Sequence, residues 1–286
     1  MSKKQKNTSS DTVPKFILTT ANMLQKTSIS LTVLFAKKLF TTPIKHKLPK
    51  REYEMEKHTN KELIMIPKIN KKIMVYHYGT NPKKVLLVHG WSGRGTQLVK
   101  IADKLIELGY STISFDAPAH GKSPGNTTLM PEFIASIITL NQNYGPFEYA
   151  IGHSLGGMSI LNAIKDGLQI KKAVIIGSGD SVNDIVHDFI SKLKLKPIIA
   201  TRMRNSFEKK NNLDMESFSA SIAAKQVKDI PTLIIHDKND EDVPYSASQN
   251  IHKNLTGSKL ILTEGLGHRK ILGDKETINK IAEFLN

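Results

Sequence analysis

Cysteine is missing from the 286 residues of this chain. Its absence excludes disulfide bridges, cysteine-ligated zinc and a thiol nucleophile. Aromatic residues make up only 6% of the chain and do not alternate with the basic ones, so no stacking platform for single-stranded nucleic acid is indicated. The 10 histidines show no His-Glu-x-x-His or similar spacing. We therefore expect no metal, no other cofactor and no nucleic-acid partner.

Long apolar runs are also missing from the first 60 residues. The longest nearly uncharged piece is Ile29–Ala36, which Lys37 ends, and it is too short to span a membrane. No small-residue cleavage pattern follows it, so we expect no secretory signal and a cytoplasmic location. Four apolar residues fall at helical spacing here: Leu31, Leu34, Phe35 and Leu39. They predict a helix that packs on the main domain rather than on a membrane.

Acidic residues are scarce relative to basic ones, and the net charge is +15. Residues 1–60 carry 12 lysines and arginines against 4 acidic residues. We interpret this segment as a basic N-terminal extension, disordered over residues 1–15 and otherwise containing a helix and a connector. A basic excess can attract acidic membranes or anionic substrates, but a solvated lysine-rich surface is the interpretation we favour.

From residue 61 to residue 286 the pattern predicts one α/β domain. Leu63–Ile66 and Ile73–Tyr76 indicate paired strands around a turn at Asn70. Short apolar runs then alternate with amphipathic stretches, which favours a mostly parallel sheet of about eight strands flanked by helices. The later predicted strands are Val85–Val88, Thr112–Phe115, Tyr149–Ile151, Ala173–Ile176, Thr232–Ile235 and Leu260–Leu262. The predicted helices are Gln97–Leu108, Pro131–Leu140, Leu155–Ile164, Ala247–Asn254 and Lys275–Phe284.

Ser154 lies at the centre of Gly-x-Ser-x-Gly, between a predicted strand and a predicted helix. This is the arrangement of a nucleophile elbow, in which a sharp strand-to-helix turn exposes the serine. Gly152 and Gly156 suit the turn because larger side chains there would collide. The pentapeptide alone is a weak signal, and its position at a strand end strengthens it.

The residues that follow the other predicted strands complete a pattern, because ligands bind beyond the carboxyl ends of parallel strands. His89-Gly90 follows one strand, Asp240-x-x-Val243-Pro244 follows another, and Gly267-His268 comes late in the chain. Together with the motif Asp116-x-x-x-His120-Gly121-x-Ser123 and the elbow, these residues resemble the α/β-hydrolase family over residues 61–286.

The resemblance implies a Ser-His-Asp triad, which the family places in that order along the chain. Ser154 would be the nucleophile, His268 the general base and Asp240 the residue that orients the imidazole. Asp237 and Asp180 are rival acids, and the spacing to Val243-Pro244 favours Asp240.

The resemblance also implies that the backbone N–H groups of Trp91 and Leu155 form an oxyanion hole. We expect the side chains of Trp91 and Met158 to contact the substrate. The loop Asp116–Ser123 is interpreted as structural rather than catalytic, because its Gly-Lys-Ser ending lacks the first glycine of a phosphate loop.

Residues 181–229 are where this fold usually carries a helical lid, inserted after the sixth strand. The predicted function is hydrolysis of carboxylic esters through an acyl-enzyme. An acyltransferase or thioesterase with the same triad is an alternative, and a non-catalytic binding protein of the same fold is another. The predicted partner is a small-molecule ester, and membrane association is not favoured.

Overall fold

The computed structural model describes residues 13–286 and contains one eight-stranded sheet. The strands are β1 (Asn60–Ile66), β2 (Lys71–Tyr78), β3 (Lys84–Val88), β4 (Ser111–Asp116), β5 (Tyr149–His153), β6 (Lys172–Ile176), β7 (Thr232–Asp237) and β8 (Ser258–Thr263). Their order across the sheet is β1-β2-β4-β3-β5-β6-β7-β8. The first two pairings, β1 with β2 and β2 with β4, are antiparallel, and the others are parallel.

Twelve α-helices are found in the same range, most of them between strands. They are α1 (Lys15–Thr27), α2 (Ile29–Thr41), α3 (Tyr53–His58), α4 (Val99–Glu107), α5 (Met130–Tyr144), α6 (Leu155–Lys165), α7 (Val182–Lys192), α8 (Pro197–Asn211), α9 (Ala220–Ala224), α10 (Ser246–Asn254), α11 (Gly267–Lys270) and α12 (Lys275–Leu285). Short 3-10 helices lie at Lys50–Glu52, Pro67–Ile69, Glu216–Phe218 and Ile271–Gly273. No helix within residues 13–286 is both long and apolar enough to cross a membrane.

The predicted fold class is confirmed: the sheet has eight strands, is mostly parallel and is flanked by helices. The predicted hairpin is β1–β2, and Asn70 turns it with a left-handed backbone (φ 50°). Strands β4 and β7 are buried along their whole length, as expected where crossover helices cover both faces of a parallel sheet. A core cluster joins β3, β5, β6 and β7 to α4 and α12.

The chain divides into two compact units. The sheet unit comprises Thr41–Val182 and Asp214–Asn286. The helical unit comprises the residues up to Phe40, described from residue 13, together with Asn183–Leu213. The sheet unit therefore contains all eight strands, and the helical unit contains α1, α8 and nearly all of α2 and α7.

Aromatic contacts hold the helical unit together. The ring of Phe40 lies 5.1 Å from that of Phe189 and 6.2 Å from that of Phe207. Lys37 places its ammonium 4.7 Å from the centre of the Phe207 ring. At the other end of the unit, the Lys196 N–H donates to Gln25 Oε1 at 2.6 Å. Chain segments that are far apart in sequence thus share one small core.

The packed face of α2 differs from the predicted one. Leu31 is 52% exposed and Leu34 is 60% exposed, whereas Thr32, Val33 and Ala36 are buried. The prediction that Leu31 and Leu34 pack on the main domain is therefore wrong. Small and β-branched residues form the buried face, since they allow a close approach of neighbouring backbones. The spacing of large apolar residues in the sequence did not identify this face.

The predicted boundaries can be compared with these units. The extension was predicted over residues 1–60, whereas the helical unit takes the chain only to Phe40, and the predicted connector contains α3. The predicted lid covers residues 181–229, of which Asn183–Leu213 belong to the helical unit. The prediction of disorder over residues 1–15 falls mostly on residues 1–12, outside the described residues, and Lys15 already begins α1.

Candidate active site

The topology of the sheet places the candidate site at the carboxyl ends of β3 and β5. These strands are neighbours although β4 lies between them in the chain, so the crossovers leave them in opposite directions. Ligands bind outside the strand ends at such a switch point. The loop His89–Gly93 follows the last residue of β3 at this point, and Ser154 follows the last residue of β5.

Ser154 has a left-handed backbone, with φ 55° and ψ −121°. A non-glycine residue in this region is strained, and such strain concentrates at functional sites. The turn is fixed from both sides: the Ser154 N–H donates to the Ile176 carbonyl at 2.8 Å, and Leu155 begins α6 directly afterwards. The structure thus gives Ser154 the backbone of a nucleophile elbow.

The three glycines around Ser154 are needed for close approach. A Cβ on Gly152 would lie 2.6 Å from the backbone of Gly156, and one on Gly156 would overlap the Val88 carbonyl. A Cβ on Gly90 would lie 2.9 Å from Ser154 Cβ. The loop after β3 therefore lies directly against the elbow, and larger residues at these positions would force them apart.

The backbone of this loop is oriented by hydrogen bonds at nearly every residue. The Gly90 N–H donates to Gln97 Oε1 at 3.0 Å, and the Ser92 N–H donates to His120 Nε2 at 3.0 Å. Within residues 13–286, the N–H groups of Trp91 and Leu155 have no acceptor. Leu155 is the first residue of α6, where a helix leaves its N–H groups unpaired. Both predicted oxyanion donors are available.

His268 contacts Asp240 in the arrangement expected of a histidine–carboxylate pair. Its Nδ1 lies 2.7 Å from Asp240 Oδ2. The other carboxylate oxygen, Oδ1, accepts the N–H groups of Asp242 and Val243, each at 2.9 Å. Only 1% of the Asp240 side chain is exposed, and 11% of that of His268. The carboxylate is therefore fixed by its own turn and aims at the imidazole.

Burial alone would raise the pKa of Asp240, but hydrogen bonds from His236 and His268 outweigh it and hold that pKa well below its usual range. The carboxylate is thus ionised at neutral pH despite its burial. An ionised carboxylate at this distance fixes the tautomer that leaves Nε2 of His268 as the proton acceptor.

His236 is a second imidazole on the same carboxylate, and the sequence reasoning missed it. Its Nε2 lies 3.0 Å from the Val243 carbonyl and 3.2 Å from Asp240 Oδ2. A carbonyl only accepts, so Nε2 carries a hydrogen. Nδ1 lies 2.6 Å from Ser248 Oγ, and both side chains are fully buried. A histidine at the end of a buried strand, four residues before the acid, was the available signal.

The rival acids have other partners. The carboxylate of Asp237 accepts the N–H groups of Asn239, Leu266 and Gly267. Although burial opposes them, these hydrogen bonds lower the pKa of Asp237 overall. Asp180 accepts the Ser221 N–H at 2.7 Å and the side-chain amide of Asn250. Asp237 therefore shapes the loop that carries His268, and neither carboxylate has a hydrogen bond to the imidazole among the described residues.

His153 joins the elbow to the segment that carries His268. Its ring lies 4.5 Å from the His268 ring, and its Nε2 lies 2.9 Å from the His268 carbonyl, to which it donates. Burial and, after it, the neighbouring His268 lower the pKa of His153 to about 3. A Cβ on Gly177 would lie 3.4 Å from Nδ1 of His268. The imidazole therefore packs against His153, the residue directly before Ser154, and against Gly177.

The loop after β4 holds the loop after β3 in place through hydrogen bonds. Asp116 accepts the Tyr76 hydroxyl at 2.8 Å and the Gly95 N–H at 2.7 Å. His120 donates from Nδ1 to the Pro118 carbonyl, at 3.1 Å. Burial lowers the pKa of His120 to about 4, which keeps Nε2 free to accept from the loop after β3. The contacts of this loop are those of a structural element.

Two side chains predicted to contact the substrate differ in exposure. Trp91 is 36% exposed and packs edge-on against His120, with the ring centres 5.3 Å apart. Met158 is 1% exposed in the first turn of α6. Substrate contact by either residue stays a prediction. Within residues 13–286, no group of three or more histidine, aspartate or glutamate side chains could hold a metal ion.

Two family models match adjoining parts of this chain. The model of the alpha/beta hydrolase family matches residues 85–219. The model described as TAP-like protein matches residues 211–286. The chain belongs to the α/β-hydrolase superfamily. The two matches cover this α/β hydrolase from β3 to its last residue, and so include the elbow and both loops that carry Asp240 and His268.

Individual proteins similar to this α/β hydrolase are named as different enzymes. The 2-hydroxy-6-oxononadienedioate/2-hydroxy-6-oxononatrienedioate hydrolase of Escherichia coli is 26% identical over an alignment of 239 residues, with a coverage of 66% of this chain and 82% of that protein. An esterase of Pyrococcus furiosus has a TM-score of 0.64 at 19% identity, covering 86% of this chain and 96% of its own. A bromoperoxidase of Bacillus anthracis has a TM-score of 0.60 at 19% identity, covering 79% and 99%. At these identities the two solved structures support the fold alone.

Proposed function

We propose that this α/β hydrolase cleaves carboxylic esters through an acyl-enzyme formed on Ser154. The observation that carries the proposal is the pair His268–Asp240, with Nδ1 and Oδ2 2.7 Å apart. The His268 ring lies 4.5 Å from that of His153, the residue directly before a serine whose backbone is left-handed. Strain of this kind and a buried histidine–carboxylate pair are each uncommon, and here both follow the carboxyl ends of parallel strands in one sheet.

In the first half-reaction His268 accepts the Ser154 hydroxyl proton at Nε2 while Oγ attacks the ester carbonyl. The ionised Asp240 stabilises the imidazolium that forms. The resulting oxyanion accepts from the backbone N–H groups of Trp91 and Leu155, which are without other partners among the described residues. A donor of this kind contributes about 3–4 kcal/mol to catalysis. The imidazolium then protonates the leaving alcohol.

In the second half-reaction a water molecule takes the place of the alcohol. His268 removes one of its protons as the oxygen attacks the acyl-enzyme, and the acid is released when Ser154 recovers its proton. The same two N–H groups serve the second oxyanion. Acyl transfer to another alcohol or to a thiol uses the same steps, so the acceptor decides between hydrolase and acyltransferase.

The decisive experiment is labelling with a fluorophosphonate, which reacts with an activated serine. The wild type should be labelled and should turn over p-nitrophenyl esters, and Ser154→Ala should lose both. Ser178→Ala is the matched control, since Ser178 is buried nearby and its Oγ lies 3.2 Å from the Ser154 carbonyl. Circular dichroism checks that each variant is folded. Undiminished turnover by Ser154→Ala would contradict the assignment, and no labelling of the wild type would favour the non-catalytic alternative.

The ester class follows from the side chains expected around the substrate. Trp91 and Met158 are apolar, and an apolar wall gains about 0.8 kcal/mol for each methylene group that it buries. We propose that neutral acyl esters of short to medium chain length are the preferred substrates. A series of p-nitrophenyl esters of increasing chain length, with kcat/KM measured for each, tests this.

An anionic substrate is the second candidate. The name of the similar Escherichia coli enzyme describes a dienedioate, and the net charge of +15 in this chain would attract an anion. A matched acyl ester that carries a carboxylate therefore belongs in the same series. If its kcat/KM exceeds that of the neutral esters at physiological salt, the apolar-pocket proposal fails while the triad assignment stands.

A further inference from the structure

The helical unit exposes an unusual share of large apolar side chains. Its 59 described residues contribute six of them: Phe16, Met23, Ile29, Leu31, Leu34 and Ile198. The sheet unit also contributes six, but from 215 residues. Single exposed apolar residues are normal, whereas a concentration of them marks an interaction surface.

The exposed apolar residues recur along single helix faces. Phe16 is 72% exposed and Met23 is 64% exposed, and residues seven apart lie on the same side of a helix. On α2, Leu31 and Leu34 are three apart and are both exposed. The opposite sides of both helices are packed, with Ala21 buried in α1 and Val33 buried in α2. We call Phe16, Met23, Ile29, Leu31 and Leu34 the apolar face.

Positive charge surrounds the apolar face. Residues 13–40 contain four lysines and no acidic residue, and residues 183–213 contain seven basic residues against three acidic ones. Lys15 and Lys26 are exposed at the two ends of α1. Lys196, whose N–H donates to Gln25, brings a further exposed lysine close to the end of α1. The described part of the unit has a net charge of +8.

We propose that the apolar face is a docking surface for an anionic phospholipid bilayer. Apolar side chains flanked by lysines match an interface in which acyl chains lie just beneath acidic headgroups. A second copy of this chain would bring like charges together, which opposes association. Nucleic acid would satisfy the lysines but not the leucines, and Phe16 alone is no stacking platform. Docking is peripheral, since no described helix can span a bilayer.

The test is sedimentation of the full chain with vesicles. The protein should co-sediment with vesicles that contain phosphatidylglycerol, and much less protein should co-sediment with vesicles of phosphatidylcholine alone. Adding salt should weaken the binding, because it screens the lysines. Lys15→Gln and Lys26→Gln should each weaken it about fivefold.

Two matched double variants separate the apolar face from general hydrophobicity. Leu31→Gln with Leu34→Gln should weaken binding about tenfold or more, because both side chains lose their apolar contribution. Leu63→Gln with Met65→Gln on β1 is the control, since those residues are 46% and 44% exposed in the sheet unit. The control should bind as the wild type does. Thermal melts establish that both variants are folded.

Several outcomes would overturn the proposal. Wild-type protein that stays in the supernatant with phosphatidylglycerol vesicles would do so. So would equal binding by the two double variants. Sedimentation equilibrium that shows a dimer lost in Leu31→Gln with Leu34→Gln would assign the face to a second copy, and tighter binding to duplex DNA than to vesicles would assign the lysines to nucleic acid.

Discussion

The two units of the chain differ in what fixes their side chains. In the sheet unit, the side chains of the candidate site are fixed by backbone groups: Asp240 by two N–H groups of its own turn and His120 by a carbonyl and an N–H. In the helical unit, rings pack on rings, as Phe40 does between Phe189 and Phe207. Backbone hydrogen bonds fix atoms to within tenths of an ångström, whereas apolar packing is non-directional.

Charge separates the two units as well. The sheet unit carries 27 basic and 22 acidic residues, which nearly balance over 215 positions. The described helical unit carries 11 basic residues and 3 acidic ones over 59 positions. The described helical unit, with a net charge of +8, thus contributes more than half of the net charge of +15. The proposed ester hydrolysis and the proposed bilayer docking are assigned to different units of one polypeptide.

The largest expected effect comes from replacing the Asp240 carboxylate of the candidate site. Asp240→Asn should lower kcat about 10⁴-fold, because the amide can donate to Nδ1 and favour the wrong tautomer of His268. Asp180→Asn and Asp237→Asn are the controls and should lower kcat much less, because these carboxylates accept hydrogen bonds from the Ser221 and Asn239 N–H groups instead. Ester hydrolysis by the three purified variants decides. If Asp180→Asn is the crippling change, the acid is misassigned.

A smaller effect is expected from the second imidazole on Asp240. His236→Leu removes a donor that lowers the pKa of this carboxylate, so that pKa should rise. The rate itself should fall about tenfold to a hundredfold, the range for losing a hydrogen bond to a charged group.

Ser248→Ala serves as the control for His236→Leu, because it removes the contact at Nδ1 and leaves the donation from Nε2 in place. Its kcat should stay close to that of the wild type. An unchanged kcat in His236→Leu would show that the second imidazole only fills space.

Acid should weaken the sheet unit through three neutral histidines. Burial lowers the pKa of His153 to about 3 and of His120 to about 4, and it holds that of His89 well below the usual range. The unfolded chain binds their protons below pH ~6.5. Above that pH the three rings are neutral in both the folded and the unfolded chain, and they do not change the free energy of unfolding. As the pH falls toward 4, that free energy decreases by about 1.4 kcal/mol per pH unit for each histidine.

Urea unfolding between pH 7.5 and pH 4.5 measures this loss. His120→Gln should remove about a third of the slope of stability against pH, since one of three equal contributions is lost. A free energy of unfolding that stays constant over this range would contradict the neutral state of the three rings.

The smallest expected effect concerns the aromatic packing of the helical unit. Phe40→Ala should lower its local stability by about 1–3 kcal/mol, since the ring is only partly buried. Hydrogen exchange should quicken in α2 and α8 and stay unchanged in β5 and β6. Phe16→Ala removes an exposed ring of the same size and should leave both patterns unaltered. Equal acceleration in both units would mean that they unfold together.

The sequence allowed the sheet unit to be predicted better than the helical one, for physical reasons. Predicted strands such as Val85–Val88 and Thr232–Ile235 fall inside β3 and β7, because a buried parallel strand requires a continuous run of branched apolar residues. Asp240 was identified by its spacing to Val243-Pro244, and the structure places it against His268.

The missed features depend on tertiary contacts. Thr32, Val33 and Ala36 are buried in α2, and a threonine is counted as polar in any apolar pattern. The pair His236–Ser248 joins residues twelve positions apart through the turn between β7 and α10. Helix α3 lies in a charged segment that reads as a connector and is anchored by the fully buried Met55. No local periodicity reports such contacts.

The single tryptophan of the chain has a consequence for how the protein can be followed. Trp91 lies in the loop beside Ser154 and is 36% exposed, and no second indole contributes to the emission spectrum. Fluorescence excited at the red edge of protein absorption therefore comes from the Trp91 indole alone. Formation and decay of the proposed acyl group on Ser154 can be followed by stopped flow with native protein and unlabelled esters, without any reporter group.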